Sequence, residues 1–312
     1  MGDYYAGRRV VVTGGRGFLG REVCRLLKER QAEVCAVGSR DYNLIEQADV
    51  RRMYAEQRPS LLIHLAAACG GIQANVANPG RFLYENAMMG LMVLEEGRQA
   101  GIDKLVLIST TCAYPYEVPL PQHEDTLWNG PPPGATGPYG MAKRLLHEAC
   151  ATYEKQYGCR SAVLIIANLY GPDDHFEPEY SHVIAAMVRR FVEAQRQGIP
   201  EVTLWGTGRA TREFMHVRDA ARGILCAGER EVSPQPINVG TGVEISIFQL
   251  ATLIAKTVGY TGTLLWDPSK PEGQLRRVLD VERARQRLGF ATEIALEEGI
   301  RETVEWYKQN VP

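Results

Sequence analysis

The sequence predicts an α/β protein: a doubly wound parallel sheet with a smaller, discontinuous α/β C-terminal lobe. Short Val-, Ile- and Leu-rich runs alternate with longer amphipathic stretches over the first half of the chain. The runs are continuous rather than alternating, as in parallel strands buried on both faces. A glycine turn, Gly14-Gly15-Arg16-Gly17-Phe18-Leu19-Gly20, follows the first run and opens the first helical stretch. That order is the Rossmann-type arrangement.

The elements follow in turn. Residues 9–13, 33–37, 61–66, 105–109 and 162–166 read as strands, with helices over 20–30 and 86–100 between them. Residues 119–137 are rich in Pro and Gly and read as a loop crossing an active-site mouth. From about Pro172 the rhythm breaks. Residues 181–197 read as a helix, 202–205 as a short strand, 237–239 as a return to the main sheet, and 246–258 as a helix before an Arg-rich tail. The division expected is a dinucleotide-binding domain of residues 1–174 with about 215–242, and a substrate lobe of about 175–214 with 243–312.

Composition excludes several classes. Lys plus Arg is 35 and Asp plus Glu is 37, so the net charge of −2 argues against non-specific nucleic-acid binding and electrostatic membrane anchoring. No apolar run approaches the ~18 residues of a membrane span, and the first residues lack an apolar segment of signal-peptide type. The seven cysteines are scattered without Cys-x-x-Cys, which predicts reduced thiols in a cytoplasmic protein and no metal site.

The glycines let backbone approach a pyrophosphate at a helix N-terminus. The second strand runs into Val37-Gly38-Ser39-Arg40. Arg40 with Arg16 suits a 2′-phosphate and favours NADP, while Asp41 supports the competing NAD reading. Tyr139 and Lys143 are four apart and share a helix face. A tyrosine titrates near pH ~10, and a nearby ammonium is expected to lower that value and allow proton exchange with a sugar oxygen.

Further segments carry a resemblance. They are His64-Leu65-Ala66-Ala67, Gly70-Gly71-Ile72-Gln73-Ala74-Asn75, Ser109-Thr110-Thr111-Cys112-Ala113-Tyr114-Pro115 and Asn168-Leu169-Tyr170-Gly171-Pro172. Ser181-His182-Val183-Ile184, Trp205-Gly206-Thr207-Gly208, Arg212-Glu213-Phe214-Met215-His216-Val217 and Asn238-Val239-Gly240-Thr241-Gly242 continue it. In this order the chain resembles the GDP-L-fucose synthase family of extended short-chain dehydrogenases over nearly its whole length. The resemblance implies NADP(H), a GDP-linked 4-keto-6-deoxy sugar, epimerisation at C3 and C5, and reduction of the C4 ketone.

It also implies site roles. Tyr139 would protonate the C4 oxygen, with Lys143 beside it and Thr110 where the family commonly has Ser; Ser109 and Thr111 are alternatives for that third group. Cys112 and His182 would be the epimerisation pair, assigned as base and acid with the reverse direction open. A thiol near ~8.5 and an imidazole near ~6.5 bracket neutral pH. Ala66, Ala67, Ile108, Asn168, Leu169 and His182 would join the glycine turn around the cofactor. Arg190, Trp205 and Arg212 would contact the substrate, Asn168 would contact the sugar or only order its loop, and Asp280 and Lys270 in the tail are weaker candidates. A homodimer through a four-helix bundle is implied for residues 82–100 and 139–157. Cys69, Ala167 and Ala185 depart from the family pattern and permit a related 4-keto sugar. The alternatives are an epimerase or dehydratase that retains its NAD(P), and a catalytically dead dinucleotide-binding scaffold.

Overall fold

Successive side chains of the first strand, β1 (Arg9–Thr13), enter two different cores. Val10 and Val12 belong with Val23, Leu27 and Ile224, whereas Val11 belongs with Val50, Met53 and Val93. The same division separates Leu61 and Ile63 from Leu62, and Val106 from Leu105 and Leu107. Side chains alternate along a strand, so an unbroken apolar run is what a sheet covered on both faces requires.

The structure, a computed structural model, describes residues 3–177, 181–270 and 273–311. After β1 come α1 (Phe18–Glu29), β2 (Glu33–Val37), α2 (Gln47–Gln57), β3 (Leu61–His64), α3 (Ile72–Ala77) and α4 (Pro79–Ala100). Then follow β4 (Lys104–Thr110), α5 (Gly137–Tyr157), β5 (Ser161–Ile166), β6 (Asn168–Tyr170), α6 (Val183–Gln197), β7 (Glu201–Trp205) and β8 (Thr211–His216). The remainder is α7 (Val217–Arg230), β9 (Ile237–Val239), β10 (Glu244–Ser246), α8 (Ile247–Val258), β11 (Thr263–Asp267), β12 (Arg276–Arg277), α9 (Glu282–Leu288) and α10 (Leu296–Asn310).

The main sheet is parallel throughout, in the order β2-β1-β3-β4-β5-β9. β2 and β3 flank β1 on opposite sides. The chain therefore reverses its direction of travel across the sheet there, and the switch point opens a crevice beyond the carboxyl ends of β1 and β3. β8 pairs with β6 and β12 in parallel and with β10 antiparallel, and β7 pairs with β11. A separate core containing Phe191, Leu250, Ile254, Ile300 and Tyr307 joins α6, α8 and α10.

Some local expectations shift. The strand expected over 61–66 stops at His64, where its neighbour β1 gives way to the glycine turn. The helix expected from residue 86 begins earlier, at Pro79, whose fixed φ and missing N–H suit a first turn. The unexpected α2 buries only Val50, Met53 and Tyr54. That narrow stripe at helical spacing lies in an otherwise polar run, too weak a period to read beforehand. The stretch 119–137 is better anchored than a simple mouth loop. Glu124 accepts from the Asn238 backbone N–H at 2.8 Å, the Gln122 N–H donates to Val278, and only its last residues, 133–136, reach the crevice. Among the described residues no helix is long and apolar enough to cross a membrane.

Candidate active site

The crevice at the switch point is a cavity of about 1140 Å³. A single small-molecule pocket is typically ~300–1,000 Å³, so this cavity exceeds what one drug-sized ligand requires. Gly14, Gly17, Phe18, Leu19 and Gly20 form one end. Ala66 and Ala67 follow from β3, and Ile108, Thr110 and Cys112 from β4 and the turn after it. Tyr139, Asn168 and Leu169 come from α5 and β6, His182 from the start of α6 and Arg212 from β8.

The glycine turn is a cradle that side chains would fill. A Cβ on Gly20 would stand 2.1 Å from the Gly14 carbonyl oxygen, so α1 can sit this close to the turn only with glycine there. Gly17 caps α1 without a side chain, so no side-chain acceptor occupies the helix's first N–H groups. These groups are free to meet an anion, and the cradle fits the pyrophosphate of a dinucleotide. Gly15 lies behind the wall, where an added Cβ would meet Val12 and Ala36.

Arg16 and Arg40 do not line the cavity as the structure stands. Arg16 pairs with Asp41 at 2.9 Å, and Asp41 also accepts from the Gly38 N–H at 2.8 Å. The acid one residue beyond Arg40 thus takes the arginine of the turn, and Val37, Gly38 and Ser39 form that part of the wall.

Tyr139 is half-buried in the wall, and Lys143 lies behind it, 3% exposed. The Lys143 Nζ donates to the Ile108 carbonyl at 2.9 Å and stands 5.8 Å from the Tyr139 ring centroid. Helical spacing brings them together as expected, but the electrostatics run the other way. Burial, with Cys69 and Cys112 adding to it, holds the Tyr139 phenol well above its ordinary value. Burial also pushes Lys143 down to about 8. Desolvation disfavours both charged forms and outweighs the ammonium's pull. The phenol therefore keeps its proton at neutral pH, the state a proton donor needs.

Cys112 sits in the turn after β4, beneath α5. A Cβ on Gly140 would come within 2.2 Å of the Cys112 carbonyl oxygen, so the start of α5 rests directly on this turn. The Cys112 N–H donates to Thr110 Oγ1 at 3.2 Å. The Thr110 hydroxyl, already an acceptor there, keeps its own proton for the cavity. Of the neighbouring hydroxyls, Ser109 pairs with His147 Nε2 at 2.6 Å, whereas Thr111, like Thr110, only accepts, from Arg277 Nη1 at 3.3 Å. Arg277 Nη1 also approaches Cys112 Sγ at 3.8 Å.

His182 stands at the N-terminus of α6 with its side chain making no capping bond and open to the cavity; burial among the surrounding walls, with His175 adding to it, holds its imidazole below the ordinary value. Asn168 lines the cavity while its side-chain amide donates to the Glu213 carbonyl at 2.9 Å, tying β6 to β8. Arg212 reaches the wall from β8.

Other expected substrate contacts stand apart. Arg190 donates to the Thr203 carbonyl, and Trp205 is half exposed with Lys270 5.9 Å from its ring. Asp280 lies between Gln122 and the start of α9: its N–H donates to Gln122, its carbonyl accepts from Asn238, and its carboxylate accepts from the Glu282 N–H. None of these four lines the cavity. Sequence reasoning missed Arg277 and Asp174, which do line it. Arg277 was visible only as part of a basic tail, and Asp174 only as one of two acids in a turn.

A parallel doubly wound sheet, a glycine cradle at its switch point and a Tyr-x-x-x-Lys helix behind the cavity define a nicotinamide-dinucleotide protein of short-chain dehydrogenase type. The chain belongs to the NAD dependent epimerase/dehydratase family, whose model matches residues 10–240. It is 39% identical to GDP-L-fucose synthase of Escherichia coli (strain K12), over 97% of each chain. It is 32% identical to GDP-L-colitose synthase of Yersinia pseudotuberculosis, over 96% of this chain and 97% of that one. The crystal structure of a GDP-L-fucose synthetase from Naegleria fowleri bound to NADP matches with a TM-score of 0.89 at 29% identity, over 96% of this chain and 92% of that one. The fold class and the family resemblance read from the sequence are both borne out.

Proposed function

We propose that this chain is an NADPH-dependent epimerase-reductase acting on GDP-4-keto-6-deoxymannose or a closely related GDP-linked 4-keto sugar, with GDP-L-fucose or its analogue as product. The observation that carries this reading is the gathering of Tyr139, Thr110, Cys112 and His182 around one cavity that the glycine cradle also enters. Relatives along the full length carry the names GDP-L-fucose synthase and GDP-L-colitose synthase.

The C4 ketone acidifies the protons on C3 and C5. In this reading Cys112 removes one of them, and the enolate oxygen is held by the Thr110 hydroxyl. His182 returns a proton to the opposite face, which inverts the centre; the second centre follows in the same way once Cys112 has given its proton to solvent and His182 has taken one up. NADPH, when bound along Gly14 to Gly20, Ala66, Ala67, Ile108 and Leu169, supplies the hydride that reduces C4. Tyr139 gives its phenolic proton to the alkoxide forming at C4. Lys143, fixed to the Ile108 carbonyl, stands ready to reprotonate the phenolate and to meet the cofactor ribose. Arg212 and Arg277 provide guanidinium groups for the diphosphate.

A cytosolic homodimer belongs to the same proposal. Leu83 and Tyr84 of α4 and Met141, Leu145 and Tyr157 of α5 are all more than 40% exposed. Two such helix pairs would cover one another, and sedimentation equilibrium of the intact chain should give twice the 34.7 kDa chain mass. The enzymatic reading is tested by NADPH consumption. One NADPH oxidised per GDP-4-keto-6-deoxymannose converted is expected. Conversion without oxidation would instead establish an epimerase that retains its cofactor.

A further inference from the structure

Asp174 is a carboxyl group that the proposed chemistry leaves without a task. The turn leaving β6 carries Gly171 at φ 152° and Asp173 at φ 65° and delivers Asp174 to the cavity wall beside His175 and His182. The residue is only 7% exposed. Its Oδ1 accepts from the His175 backbone N–H at 2.7 Å. Its Oδ2 is fully buried and has no hydrogen-bond partner among the described residues.

A buried carboxyl oxygen left in this state needs an explanation. Other buried carboxylates have partners: Glu213 accepts from the backbone of Leu279, Thr241 and Gly242, Asp219 accepts from Arg222, Glu293 and Ile294, and Glu124 Oε2, which has no hydrogen bond among the described residues, lies 3.7 Å from the Arg283 guanidinium. Asp174 differs from them in lining the cavity. Burial, with Glu177 adding to it, brings its carboxyl up to about 7. Near neutral pH it is therefore available both as an O–H donor and as an acceptor, and a sugar hydroxyl pairs with either form.

We propose that Asp174 is a specificity-determining residue whose Oδ2 hydrogen-bonds a ring hydroxyl, at C2 or C3, of the bound 4-keto sugar. The proposal rests on the reading of this cavity as a nucleotide-sugar site. A 4-keto-6-deoxyhexose linked through C1 keeps only these two hydroxyls. A bond to one of them stops the ring turning about its glycosidic link, and C3 and C5 must be held in one orientation to meet Cys112 and His182. A sugar lacking that hydroxyl would leave Oδ2 buried and unpaired, and would be rejected for that reason.

The test uses the full chain with Asp174→Asn and Asp174→Ala. Asn keeps the acceptor for the His175 N–H, so it carries the test should the Ala variant fail to fold. Thermal melting without ligand, NADPH binding by fluorescence, and kcat and KM for NADPH oxidation are measured. The substrates are GDP-4-keto-6-deoxymannose and its 2-deoxy and 3-deoxy analogues. Melting temperature and NADPH affinity are expected to match the unaltered chain. KM for the parent sugar should rise about tenfold or more in the Ala variant, as for the loss of one buried hydrogen bond. The unaltered chain should lose a similar factor with one deoxy analogue, and the Ala variant should treat that analogue and the parent sugar alike. An unchanged KM in the variants overturns the proposal, as does a deoxy penalty that multiplies with the substitution. A lowered melting temperature with unchanged KM would make Asp174 a structural residue. Failure of the unaltered chain to turn over any 4-keto nucleotide sugar would instead sink the functional reading, and this proposal with it.

Discussion

At the residue scale the proposed reaction assigns its two proton tasks to groups in different surroundings. Tyr139 is kept protonated by burial, whereas Cys112 sits at the cavity wall with a guanidinium nitrogen 3.8 Å from its sulfur. The Tyr139→Phe variant should therefore lose reduction and keep epimerisation. NADPH oxidation is expected to fall about 10²–10⁴-fold, the usual contribution of a positioned general acid, while proton exchange at C3 and C5 continues. Rapid-quench analysis with NADPH present checks both quantities on one sample. Loss of both activities would mean that Tyr139 shapes the cavity instead of protonating C4.

Tyr139 and Lys143 were legible because four residues make one helical turn. Arg277 and Asp174 were not, because what places them is the pairing of β12 with β8 and the turn after β6. Neither of these leaves a short-range spacing in the sequence. Tyr139's raised pKa was equally hidden, since desolvation depends on neighbours far along the chain.

At the scale of elements, the glycine turn and α1 form the part of the site most exposed to steric change. Gly20→Ala would drive a methyl group against the Gly14 carbonyl, so α1 must move away from the cradle. NADPH affinity is expected to drop at least about tenfold, and stability by about 1–3 kcal/mol, the usual cost of overpacking. Fluorescence titration and urea unfolding measure the two effects. A variant with unaltered NADPH affinity would remove the turn from the cofactor site.

Parallel strands were readable at this scale because burial on both faces demands continuous apolar runs, and 9–13 and 33–37 match β1 and β2 residue for residue. α2 and the anchoring of residues 119–137 were not. A stripe of Val50, Met53 and Tyr54 carries little periodicity, and the buried Glu124 accepts from Asn238, more than a hundred residues further on.

For the whole molecule, buried imidazoles set the response to acid. Burial holds His64 and His147 down to about 3, and His216 down to about 4. Each folded-state value lies below the unfolded ~6.5. The unfolded chain therefore binds more protons between those values, and stability is lost as pH falls from about 6.5 toward 3. Asp174, raised to about 7, acts in the opposite sense over most of that window. Burial also raises Glu213, which acts with Asp174, and lowers His182, which acts with the other rings, so four imidazoles outweigh two carboxyls. The melting temperature should be lower at pH 5 than at pH 7, and His147→Gln should flatten the difference. An unchanged or higher melting temperature at pH 5 would show that these rings are not buried neutral.

The central claim is that Cys112 and His182 exchange protons at both carbons flanking the ketone. It is tested most directly by incubating the protein with GDP-4-keto-6-deoxymannose and NADPH in deuterium oxide and locating deuterium in the product by NMR. Deuterium at both C3 and C5, lost in Cys112→Ala while the C4 ketone is still reduced, is the predicted result. A reduced product with ordinary hydrogen at C3 and C5 would contradict it, leaving a simple ketoreductase in which Cys112 and His182 carry no proton.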